Sequence, residues 1–320
     1  MQNPQQACVL LKLMSLSELT TQASKQHGLM THKQATDAGF SRTAISRLVR
    51  KGEWQQVRPR VFRKAATKQT EAQDLLALCL WLGESAVVSH RSAARLLGLD
   101  IKQGDLEVTV GPRFSGELPG VIVHRSKSLP KDDKRLVRGI PVTTAARTII
   151  DLASCLDEEP LAIAVEEAWR RGIATPQWVE KRLTELSTQG RHSGALAEIL
   201  ADRRQTKAPL ESALEVRMWR VLRGSKLPMP IAGYEFRDDY GQPGRIDLAY
   251  PDQQLALECE SWEFHGDREA FETDRVRAAR LVALGWRVMP ITWRQLDEQR
   301  GKVLNRIREA LAFRTEKIAR

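Results

Sequence analysis

Apolar side chains recur at helical three- and four-residue steps through most of the chain, broken by short stretches that alternate with period two. The first helical pattern runs from Leu16 to His27 and stops before Gly28. Thr31-His32-Lys33-Gln34 is a capping box that opens a short helix ending at Gly39, and Ser41 caps a third helix running to Lys51 and Gly52. On that third helix Ile45, Leu48 and Val49 share the core side, while Arg42, Thr43, Ser46, Arg47 and Arg50 line the other. Trp54–Val57 and Val61–Phe62 then flank Arg58-Pro59-Arg60 as a short hairpin. Helix, short helix, glycine turn, third helix and hairpin is the order of a winged helix-turn-helix.

The middle of the chain mixes both periods. A helix over Thr70–Leu82 and a short one over Ala93–Leu97 precede strands at Leu106–Val110 and Val121–Arg125. Ile140–Thr144 leads into a further helix, and helical spacing returns around Leu161–Arg171, Thr175–Leu186 and Ser193–Arg203. Gln205-Thr206-Lys207-Ala208-Pro209 is polar and ends in proline, the expected domain boundary. Beyond it the order is a helix (Leu210–Arg223), a strand (Tyr234–Arg237), two hairpin strands (Arg245–Tyr250 and Leu255–Glu260), a helix (Arg268–Leu284), a strand (Trp286–Ile291) and a last helix from Lys302.

Chemistry enters with the two hairpin strands. Residues two apart on a strand share a face, so Glu258 and Glu260 point one way and Leu257 and Cys259 the other. Hairpin pairing brings Asp247 beside them. Like charges so close call for a cation, and clustered oxygen ligands suit Mg²⁺ or Mn²⁺, the ions of phosphodiester hydrolysis. Spacing equally allows Asp247 and Glu260 to face solvent and pair with arginines. Glu211 and Glu215 lie four apart on one helix face, either feeding the same site or forming an acidic surface pair. His90 and His124 read either as a catalytic pair or as satisfied polar core residues. Arg91, Arg95, Arg113 and Arg125 read either as a nucleic-acid track or as a solvated face.

Charge adds direction. The 320 residues carry a formal net charge of +10, which favours a polyanionic partner and also fits an arginine-rich proteome. Ser41–Arg63 holds seven basic residues (Arg42, Arg47, Arg50, Lys51, Arg58, Arg60 and Arg63) against one acid, Glu53, as a major-groove helix with a backbone-contacting wing requires. Cys8, Cys79, Cys155 and Cys259 are too widely spaced for metal-ligand pairs and read as buried free thiols of a cytoplasmic protein. No apolar run reaches the length of a membrane span, and Met1–Leu13 reads as a disordered extension rather than a signal peptide.

Two resemblances sharpen this reading. HGLMT, AGF and AISRLVRKGEWQQVRPRVFR, followed by SHRSAARLLGL and GIPVTTAARTIIDLA, are similar to AbiEi-type antitoxins. Arg60 stands where that pattern usually has glycine. Asp247, then Glu258 and Glu260, resembles the PD-(D/E)xK nuclease superfamily. His265, Asp274-Arg275-Val276-Arg277, Leu281, Gly285-Trp286-Arg287-Val288 and Thr292-Trp293 are similar to its very-short-patch-repair branch. The resemblance covers about the last third of the chain. It implies a restriction-endonuclease-like α-β-β-β-α-β core. Metal ligands would be Asp247, Glu258 and Glu215, with Glu260 and His265 in catalysis and Arg275 and Arg277 on phosphate. Glu260 occupies the place of the superfamily's lysine.

The expectation is therefore a mixed α/β, multidomain chain. Residues 1–13 are an extension, 14–66 a winged helix-turn-helix, 67–205 an α+β middle domain and 209–320 a nuclease-like domain. Two functions follow. One is a Mg²⁺- or Mn²⁺-dependent DNA endonuclease that binds double-stranded DNA. The other is a non-enzymatic, antitoxin-like repressor with a degenerate nuclease fold, with a cognate toxin or a second copy of the chain as its partner.

Overall fold

The computed structural model describes residues 17–127, 129–187, 194–204, 209–238, 240–260 and 268–318, with backbone alone at 187, 268–275 and 313–318. The chain divides into two compact units, Met1–Leu152 and Ala153–Arg320.

Unit 1 opens with helix α1 (17–25), strand β1 (Leu29–Thr31), helices α2 (His32–Asp37) and α3 (Arg42–Arg50), and strands β2 (Trp54–Arg58) and β3 (Val61–Lys64). Both expected caps form. Thr31 and Gln34 exchange side-chain and backbone hydrogen bonds at the start of α2, and Ser41 Oγ accepts from the Ala44 N–H at the start of α3. Strand β1 pairs with β3, giving a three-stranded sheet in the order β1-β3-β2. That third strand was not foreseen. Its three residues have no period of their own, and only pairing with β3 makes them a strand. Leu19, Met30, Ala35, Ile45, Trp54 and Phe62 form the core, with Leu48 and Val49 packed against it, as the helical pattern predicts. Arg60 turns the hairpin in the left-handed region, with φ of 62°, where glycine carries no steric cost. The His32 N–H donates to the Arg60 carbonyl at 2.8 Å and ties the wing back to α2.

The rest of unit 1 is helix α4 (Glu71–Leu82), strand β4 (Val87–Val88), helix α5 (His90–Leu96), strands β5 (Leu106–Val110), β6 (Val121–Arg125), β7 (Lys134–Val137) and β8 (Ile140–Thr143), and helix α6 (Ala145–Leu152). The sheet order is β6-β5-β4-β8-β7. Strand β4 is only two residues long but central, pairing antiparallel with β5 and parallel with β8. Leu75, Leu78, Val88, Val108, Ile140 and Val142 bury the face under α4, and Leu29 and Val61 of the first sheet join the same core.

Unit 2 contains helices α7 (Glu158–Arg170), α8 (Pro176–Ser187), α9 (Gly194–Arg203) and α10 (Ala213–Arg223). Strands β9 (Ile231–Arg237), β10 (Pro243–Tyr250) and β11 (Leu255–Glu260), helix α11 (Arg268–Ala283), strand β12 (Arg287–Thr292) and helices α12 (Trp293–Glu298) and α13 (Arg300–Ile318) follow. The sheet runs β12-β11-β10-β9, antiparallel except for the parallel pair β11–β12. Ile246, Ala249, Ala256, Leu281 and Trp286 bind α11 to this sheet. The break expected at Gln205–Pro209 lies inside the unit, because α7 holds α10 across it. Arg217 reaches Glu159 at 2.9 Å, and the Leu210 N–H donates to Glu166 Oε2 at 2.9 Å.

Among the described residues Cys79, Cys155 and Cys259 are free thiols, and Cys79 alone of these is fully buried. No described helix is long and apolar enough to cross a membrane.

Candidate nucleic-acid face and carboxylate site

Packing fixes which side of α3 faces out. Ile45 is buried, so Arg42, Thr43, Ser46, Arg47 and Arg50 are exposed, followed by Lys51; on the wing Arg60 is exposed and Arg58 half-buried. Among the described residues Arg42, Arg47, Arg50, Lys51, Arg58 and Arg60 make no ion pair. Their charge is therefore available to a partner. Arg63 is engaged inside the unit, donating to Gln55 Oε1 at 2.7 Å and to Gln73 Oε1 at 3.3 Å.

The proposed track through the middle of unit 1 does not form from Arg91 and Arg95. Arg91 lies 3.2 Å from Glu107, and the Arg95 Nε donates to Glu71 at 2.8 Å. Arg125 donates to the Phe114 carbonyl at 2.8 Å. His90 and His124 do meet, ring against ring, beside Glu107.

In unit 2 the fold draws three acids from separate elements toward one buried locus. The β10–β11 register sets Leu248 opposite Leu257, which puts Asp247 across from Glu258. Asp247 Oδ2 accepts the Cys259 N–H at 2.8 Å. Ser212 caps α10 by accepting the Glu215 N–H at 3.1 Å, and the Glu215 carboxylate turns back to accept the Glu211 N–H at 3.0 Å. Glu215 and Glu258 are buried. Burial, then the charge on Asp247, pushes the Glu215 carboxyl up to about 7. Burial also raises Asp247, against hydrogen bonding from Cys259 and the charges of Arg277 and Arg245.

Arg277 corrects the expectation that its guanidinium faces phosphate. Its guanidinium pairs with Glu258 and lies 3.6 Å from Asp247. Arg245, also missed, reaches Glu211 at 2.7 Å and Glu215 at 3.9 Å. Its position two residues before Asp247, on the same strand, was the available signal. Glu260 ends β11 exposed. His265 and the Arg275 side chain lie outside the described residues.

The donor set fits a hard divalent cation. It is all oxygen, burial and the charge on Asp247 push Glu215 up to about 7, and Glu258 Oε1 is buried without a hydrogen-bond partner. It is not drawn to common ligand distance. Among the described residues only His90, Glu107 and His124 are. Arg277 beside Glu258 and the Cys259 N–H on Asp247 occupy oxygens that a cation would take.

Residues 17–63 match the family model described as "Transcriptional regulator, AbiEi antitoxin". Over 242 residues the chain is 30% identical to "Uncharacterized protein MT2308" of Mycobacterium tuberculosis (strain CDC 1551 / Oshkosh), covering 73% of this chain and 84% of that protein. The same figures hold for "Uncharacterized protein Rv2248" of Mycobacterium tuberculosis (strain ATCC 25618 / H37Rv). The crystal structure of the RV2827C protein from Mycobacterium tuberculosis aligns over 74% of this chain and 89% of its own, at 18% identity and a TM-score of 0.41, a likeness too weak to bear on function.

Proposed function

The chain belongs to the same family as the two mycobacterial proteins MT2308 and Rv2248, and we propose that it is a double-stranded-DNA-binding protein whose second unit hydrolyses phosphodiester bonds with a divalent metal. The observation that carries the hydrolytic reading is the convergence of Glu215, Asp247 and Glu258 from α10, β10 and β11. The element order α10-β9-β10-β11-α11-β12, with a parallel β11–β12 pair, is what a PD-(D/E)xK core would have. The transcriptional-regulator family match at residues 17–63 supports DNA binding through α3 and the wing.

In this reading the phosphate backbone meets the exposed Arg47, Arg50, Lys51 and Arg60. Asp247, Glu258 and Glu215 hold Mg²⁺ or Mn²⁺, which when bound polarises a phosphoryl oxygen and supplies hydroxide near neutral pH. Arg277 pairs with Glu258, so a metal would compete with that guanidinium for the carboxylate. Glu260, in the place of the superfamily's lysine, and His265 would take the proton from the attacking water and return one to the leaving oxygen. A plasmid-nicking assay with Mg²⁺ or Mn²⁺ tests this. The parent should cleave, and Asp247→Ala should lose cleavage while still binding duplex DNA. A parent that binds DNA and never cleaves it leaves the second reading.

That second reading is a non-enzymatic, antitoxin-like repressor, with a toxin protein or a second copy as partner. The observation in its favour is the Arg277 guanidinium seated between Asp247 and Glu258, a cation already supplied by the chain.

A further inference from the structure

We propose that His90, Glu107 and His124 of unit 1 form a binding site for a divalent transition-metal ion of the Zn²⁺ type, separate from the carboxylates of unit 2.

Three elements build the cluster. Glu107 lies on β5, His124 on the neighbouring parallel strand β6, and His90 begins α5. Thr109 pairs with His124 in the register, so Glu107, two residues before Thr109, lies on the face of the sheet that carries His124. One ligand atom from each of the three side chains lies within 4.8 Å of the other two. Ligands on a tetrahedral Zn²⁺ are about 3.4 Å apart, given bonds of about 2.0–2.1 Å, so the cluster can close on an ion by side-chain rotation without moving the backbone. His124 Nε2 and Glu107 Oε2 are already 2.8 Å apart, sharing a proton that a metal ion would replace. Two imidazoles and one carboxylate select Zn²⁺-type ions over Mg²⁺.

The surroundings match a metal's outer shell. His90 Nδ1 lies 2.9 Å from Ser89 Oγ, and Thr109 donates to the same Ser89 oxygen at 2.8 Å, an outer layer of the kind that fixes a ligating histidine's tautomer. The Ser92 hydroxyl accepts the Glu107 N–H at 3.0 Å and fixes β5 beside α5. His90 is a non-glycine residue with φ of 50°, a conformation that places its ring over the sheet at some backbone cost. The rings of His90 and His124 stack at 3.4 Å with 12° between their planes. A metal lies in the plane of each ring that binds it, so His124, the more exposed of the two, must rotate out of the stack to coordinate. Its position at the solvent side also leaves room for a water as fourth ligand.

The test is Zn²⁺ titration of the full chain, stripped with chelator, by calorimetry and by competition with a chromophoric chelator. Co²⁺ absorption reports the ligand field. One Zn²⁺ should bind with the parent and with Asp247→Ala alike. His124→Ala, at a partly exposed position, and Glu107→Gln, which keeps the side chain's shape, should each lose it. Ser89→Ala should weaken binding by about 10–100-fold. Folding of each variant is checked by circular dichroism. A parent that binds no Zn²⁺, or a folded His124→Ala that binds as tightly as the parent, overturns the site and makes the cluster a satisfied polar core. Binding that Asp247→Ala abolishes moves the ion to unit 2 and overturns it equally.

Discussion

Each unit buries a cluster of opposite charges, and the two are built differently. In unit 1, Arg147 lies fully buried between Asp133, 2.6 Å from Nη1, and Asp151, 2.9 Å from Nε. One planar guanidinium meets two carboxylates along its donor fork, tying the turn before β7 to α6. In unit 2, Arg277 also serves two carboxylates, but Glu215 converges on them and Arg245 is shared with Glu211. There burial pushes up both Glu215 and Asp247, and the charge on Asp247 adds to the rise at Glu215. The first cluster ties two elements together and clamps the fold. The second holds acids whose burial favours the protonated form near neutral pH, which is the condition of a site rather than a clamp.

The comparison breaks most sharply at Arg147. Arg147→Ala takes the guanidinium away from two buried carboxylates and should lower the stability of unit 1 by about 3–5 kcal/mol. Urea unfolding of the full chain measures it, and an unshifted midpoint would remove the clamp.

Glu215→Gln tests the other side. Native Glu215 holds its proton to about 7, against an ordinary value of 4.5, so the folded state binds more protons than the unfolded one between those values. Stability is then greatest at or below the lower value and falls as pH rises through the upper one, by about 1.4 kcal/mol for each unit of difference. The variant should lose this fall and be more stable than the parent at pH 8. A parent whose melting temperature is flat over that range would put Glu215 outside the strained cluster.

The smallest effect on stability belongs to α3. Arg47→Ala, exposed and unpaired among the described residues, should change stability by less than about 0.5 kcal/mol. It should also lower the salt slope of DNA binding by about one. A slope that does not move would take Arg47 off the phosphate backbone.

How much was legible in advance follows from the range of each interaction. Caps at Thr31, Ser41 and Thr70 act over three residues, so their helices start where the sequence predicts, whereas α10 starts three residues past the expected Leu210 because Ser212 caps it. Strands β1, β4 and β7 escaped notice because two to four residues carry no period, and only the partners β3, β5 and β8 define them. The pairing of Asp247 with Glu258 was readable because a short hairpin fixes register locally. Arg277 on both acids was not, since it lies nineteen positions beyond Glu258 on a helix whose facing is set by packing.

The sequence by itself determined the local order of this protein. Helix starts, the hairpin, the basic face of α3 and the identity of the acids all rest on contacts within a few residues, where chain geometry leaves few alternatives. Tertiary structure alone decided which charges are compensated. It set Arg91 and Arg95 on carboxylates instead of in a track, closed Arg147 between two aspartates, and stacked His90 on His124 beside Glu107. Those outcomes depend on distances across elements and on the loss of water around them, and neither quantity exists until the chain is packed.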